Sequence, residues 1–97
     1  MSKTDIYKSL IKAIESETEI SEDKILSESR KTEVVDARSI LVNLMHENGF
    51  YPSQIAQFIH KTPSTVHNLI RDYNNRIKSN KILPIYLSSI RKKISSN

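Results

Sequence analysis

The chain reads as a small all-α domain, a helical bundle without strands. Apolar residues return at three- and four-residue intervals in every segment, no stretch alternates apolar with polar residues for long, and the single Gly and three Pro sit where helices would stop or start. Ninety-seven residues, 11.2 kDa, suit one domain spanning 1–97, with no linker, repeat or low-complexity tract to divide it.

The first helix is expected to take its N-terminal capping chemistry from Thr4 and Asp5 and to gather Ile6, Tyr7, Leu10, Ile11 and Ile14 on one side. It should end in the acidic stretch before Ile20. Ser21 then caps a short turn running to Leu26, and Leu26–Lys31 is a polar connecting loop with two adjacent cations, Arg30 and Lys31. Thr32 is the expected N-cap of the next helix, with Asp36 in its first turn. Val34, Ala37, Leu41, Leu44 and Met45 fall on one arc of that helix, which should be the central and most buried one, and Gly49 follows as its stop. Pro52 opens a helix of about two turns carrying Ile55, Phe58 and Ile59, ending near His60-Lys61. Thr62-Pro63, a capping residue before Pro at the first helical position, starts another that runs to about Lys78. Val66, Leu69, Ile70, Tyr73 and Ile77 line its apolar side, and Ser64, Asn68, Arg71 and Asn75 lie opposite. Ser79-Asn80 supplies a turn, and the last helix begins around Pro84, burying Tyr86, Leu87, Ile90 and Ile94.

Several function classes fall away. Without Cys there are no disulfides, thiolate metal sites or Cys nucleophiles, and one glycine cannot build a P-loop. His46, His60 and His67 form no His-Glu-x-x-His pair, and no Ser, His and acid are set out as a nucleophilic group. The expectation is a chain that is not an enzyme and uses no cofactor, metal or small-molecule substrate. No apolar run is long enough to cross a bilayer and the N-terminus lacks a signal-peptide layout, so a cytoplasmic protein is expected.

Charge is unevenly distributed. Residues 1–47 hold seven Lys/Arg against ten Asp/Glu, whereas residues 48–97 hold eight Lys/Arg against the single Asp72. A basic half opposed to an acidic half suits orientation on a polyanion. The two helices separated by about three residues have the spacing of a helix-turn-helix, and the exposed side of the second offers hydroxyl, amide and guanidinium groups with no carboxylate before Asp72. The rival readings are a protein-interaction module whose acidic N-terminal half, with Glu15, Glu17 and Glu19, docks a basic partner, and a transcriptional regulator built on the same fold.

Ile25-Leu26-Ser27-Glu28-Ser29-Arg30-Lys31, Val34-Val35-Asp36-Ala37-Arg38-Ser39-Ile40, then Gly49, Ile55 and Phe58, and finally Ser64-Thr65-Val66 with Ile70-Arg71, occur in an order that resembles the C-terminal DNA-binding domain of the bacterial replication initiator DnaA. The resemblance covers a core of about residues 20–78. It implies a Trp-repressor-like helix-turn-helix fold that binds double-stranded DNA, in replication initiation or its regulation, with the second helix in the major groove and a basic loop in the minor groove. By the same resemblance, Arg30 reads the minor groove, Arg38 and Ser39 contact phosphates, and Ser64 and Thr65 lead the recognition helix. The residues themselves add Lys31 beside Arg30, Lys61 as a further phosphate clamp, and Asn68 and Arg71 along the exposed side of the helix; Arg38 projects near the buried arc of its own helix, where a structural ion pair is the alternative. Thr62-Pro63 stands where the family has Asp-His, Asn68 replaces a second family His, and Thr32 occupies an often basic loop position. These departures bear on the choice of target sequence. No counterpart of the family's ATPase region lies within the 97 residues, so DNA binding without origin melting is expected.

Overall fold

The computed structural model describes residues 2–79 and 82–95, which form six helices and no strand: α1 (Lys3–Thr18), α2 (Glu22–Ile25), α3 (Thr32–Glu47), α4 (Pro52–Ile59), α5 (Pro63–Ser79) and α6 (Ile82–Ser95). The all-α bundle expected from periodicity is the fold observed.

Helix α3 runs through the middle. Helices α1, α2, α4 and α5 pack against it, and α6 closes the bundle against α1 and α5. Every residue from Asp36 to Met45 is buried, a wider apolar surface than the single arc its periodicity suggested. A helix covered on all sides carries apolar residues around its full circumference, as Ile40, Leu41 and Val42 do here, each with no exposed surface. The helix stops at Gly49, whose φ of 88° is costly for any residue with a Cβ. Its N–H donates to the His46 carbonyl (3.0 Å) and that of Phe50 to the Met45 carbonyl (3.1 Å), the paired bonds of a Schellman motif. This turn buries Phe50 edge-on against Phe58, which stacks on Tyr7 with ring centroids 5.0 Å apart. The Tyr7 hydroxyl donates to Glu22 at 2.6 Å, pinning α2 to α1.

Several starting points differ from expectation. Ser2, not Thr4, caps α1: its hydroxyl accepts from the Asp5 N–H and the Asp5 carboxylate accepts from the Ser2 N–H, closing a capping box. Lys31 occupies the N-cap of α3 without a side-chain bond and Thr32 is already helical, with Glu33 as the first-turn acid. Asp36 lies a turn further in, buried and paired with Arg76 of α5 at 2.7 Å, so its role is to join two helices. Ser79 ends α5 by donating to the Asn75 carbonyl, and Asn80 of the expected turn lies outside the described residues. The last helix starts at Ile82, placing Pro84 within its first turn, where a missing N–H leaves no helical bond unmade. Leu83 and Ile90 are its buried residues, with Tyr86, Leu87 and Ile94 partly covered.

The core assignment has a direct check. Leu41→Ala should lower stability by about 2–5 kcal/mol in urea unfolding. Leu41→Asp or Val66→Asp, each at a position with no exposed surface, should abolish the cooperative thermal transition.

Candidate nucleic-acid interface

The link between α4 and α5 consists of three residues, His60, Lys61 and Thr62. His60 takes a left-handed conformation (φ 58°), which ends α4 and turns the chain sharply. Thr62 then caps α5: its hydroxyl accepts from the Thr65 N–H at 3.2 Å and lies 3.1 Å from the Thr65 hydroxyl. Pro63 fills the first helical position, exposed and without a donor. Val66 and Tyr73 anchor the inner side of α5, with Leu69, Ile70 and Ile77 packed on the core beside them.

The outer side of α5 is as its periodicity predicts. Ser64, Asn68, Arg71 and Asn75 are all exposed, and Thr65 is half-buried beneath its cap partner. Arg71 donates to the Asn68 side-chain carbonyl at 2.8 Å and approaches Asp72 at 3.6 Å, an arrangement that orders both exposed groups. His67 is exposed among them, spaced three and four residues from Ser64 and Arg71. The sequence pattern did not single it out, although the same wheel that grouped Ser64 with Asn68 carries it.

The loop between α2 and α3 is held from two sides. From α3, Arg38 donates to the carbonyls of Ile25 (2.8 Å), Ser27 (2.6 Å) and Ser29 (3.2 Å). From the α4–α5 link, Lys61 donates to the Ser27 carbonyl (3.4 Å) and pairs with the Glu28 carboxylate. The loop carrying exposed Arg30 and Lys31 is therefore fastened to the turn that begins α5, and the two predicted contact regions share one end of the molecule.

Two of the expected phosphate contacts are buried. Arg38 is 8% exposed, its guanidinium engaged by three backbone carbonyls, and Ser39 is fully buried, its Oγ without a partner among the described residues. The end of α2 and the loop after it cover Arg38. Burial also holds the Arg38 guanidinium below its ordinary pKa, with the Glu28 charge opposing. Lys61 is an intermediate case: its side chain is 11% exposed and its ammonium is engaged by the loop.

Part of the charge division along the chain is paired across the fold. Lys61–Glu28, Arg76–Asp36, Arg91–Glu47 and Lys93–Glu17 each join a cation of the second half to an acid of the first. Among the described residues no group of three or more His, Cys, Asp or Glu could hold a metal ion, and no helix is long and apolar enough to cross a membrane. The fold thus places the chain in the class of small all-α bundles. Protein-family models, curated proteins and solved structures were all compared with it, and none matches.

Two measurements follow from the loop's anchors. Arg38→Met leaves buried carbonyls without their donor and should cost about 2–5 kcal/mol, with faster amide exchange concentrated at Ser27–Arg30. Glu28 is held below the ordinary glutamate pKa by its hydrogen bond from Lys61 and by the Lys61 charge, with Arg38 and Arg30 adding smaller effects against desolvation. Its stabilising pair is thus present above the ordinary glutamate pKa and is lost as pH falls through the lowered value. A carboxyl NMR titration should show that lowered midpoint, moving back toward the ordinary one in Lys61→Gln.

Proposed function

We propose that this chain binds double-stranded DNA through a helix-turn-helix formed by α4 and α5. The first turns of α5 enter the major groove and the Arg30-Lys31 loop enters the neighbouring minor groove. The observation that carries this reading is the Lys61 bridge, which holds a loop with two exposed cations beside the start of a helix whose outer side bears Ser64, His67, Asn68 and Arg71 and no carboxylate before Asp72. Hydroxyl, imidazole, amide and guanidinium groups can donate to or accept from base edges and phosphates, and an arginine on a projecting loop suits the negative potential of a narrow minor groove.

Within this reading the residues divide by role. Ser64 and Thr65 lead into the major groove, and Asn68 and Arg71 follow along the outer side. Thr62 keeps the helix end in shape through its cap, and Pro63 offers only apolar contact, since it has no N–H. Arg38 acts through the loop it anchors. The resemblance to the DnaA C-terminal domain makes replication initiation or its regulation the setting we favour.

Selection of bound duplexes from a random pool tests the proposal, followed by affinity measurements across a salt series. Enrichment of a consensus, with affinity falling steeply as salt rises, is the expected result. Arg30→Ala should weaken the selected site by about 1–3 kcal/mol and random DNA by less. Equal losses on both would remove the minor-groove role. Absence of enrichment together with a salt-insensitive interaction would favour a protein-docking module instead.

A further inference from the structure

The Lys61–Glu28 pair is asymmetric. The Lys61 stem is packed against the protein, and its ammonium is fixed by the Ser27 carbonyl as well as by the carboxylate. The Glu28 side chain is 94% exposed and touches the protein only at its tip, so it can swing into solvent without disturbing the core. Arg30 and Arg38 lie close enough to favour the Glu28 anion too. A single carboxylate therefore sits at a convergence of cations at the end of the molecule that carries the exposed loop and the start of α5.

We infer that Lys61 forms a phosphodiester-binding subsite, and that the Glu28 carboxylate occupies it in the free protein as a built-in competitor for the nucleic-acid backbone. This rests on the DNA-binding reading above. On duplex DNA a phosphate oxygen replaces the carboxylate oxygen on Lys61, and Glu28 turns outward. A backbone contact of this kind carries no sequence information, so Glu28 lowers affinity and salt sensitivity for all duplexes alike without altering which sequence is preferred.

The test is a charge-neutral, nearly isosteric change, Glu28→Gln, measured by fluorescence anisotropy on the selected duplex and on a random one between 50 and 200 mM salt. Tightening of about 3- to 10-fold at the low-salt end is expected on both, and because salt also screens the competing carboxylate the gain should shrink as salt rises, so that the slope of log affinity against log salt is steeper than in the native chain. In a Lys61→Gln background the same change should have no such effect. Glu19→Gln, which removes one negative charge at the exposed end of α1, should leave the slope as it is.

If Glu28→Gln binds as the native chain does, or more weakly, or if its gain survives in Lys61→Gln, the subsite assignment is overturned while the DNA-binding reading stands. A gain on only one sequence would also overturn it. If neither the native chain nor any variant shows salt-dependent duplex binding, both fall together.

Discussion

Because α3 is covered by four other helices, each polar side chain along its middle must find a partner inside the protein or remain unsatisfied at considerable cost. Three of them do find one. Asp36 reaches Arg76 on α5, Asn43 donates to the Ser39 carbonyl one turn earlier, and Arg38 takes three carbonyls at the end of α2 and in the following loop. Two of these partners lie in the elements that bear the candidate contact groups. Satisfying the central helix therefore also locates α5 and the loop relative to one another.

The same constraint gives Arg38 a structural role. A guanidinium with donors in a fixed planar fork can serve several convergent carbonyls at once, which an ammonium on a flexible stem does less well. Exposed, such a group would be a natural phosphate ligand. Buried, it becomes the means by which α3 orders a surface loop, and its influence on any ligand passes through Arg30 and Lys31.

Much of the fold was legible because its punctuation is local. Gly49, Pro52 and Thr62-Pro63 act through backbone geometry within one turn, and each boundary falls where those residues place it. The errors at Thr4 and Thr32 arose where several hydroxyl or carboxylate residues adjoin a helix start and only the final geometry chooses among them. The exposed side of α5 was legible because one strongly amphipathic helix lies on a core with its other side open. The full burial of Arg38 and Ser39 was less legible for the converse reason: a wheel separates apolar from polar positions but cannot tell how far a second layer covers the polar ones. The Lys61–Glu28 and Arg76–Asp36 pairs join residues 33 and 40 positions apart, beyond the reach of any local pattern.

A loop that reaches into a groove would lose conformational freedom on binding unless it were already ordered. Here successive serines organise it from within: the Ser27 hydroxyl donates to the Lys24 carbonyl and accepts from the Ser29 N–H, and the Ser29 hydroxyl accepts from the Lys31 N–H. Arg38 and Lys61 hold its carbonyl side from two different elements. With the backbone fixed by these bonds, Arg30 and Lys31 retain freedom chiefly in their side chains. The entropy of ordering the loop backbone has then been lost on folding, and a ligand at this end of the molecule has chiefly side chains left to order.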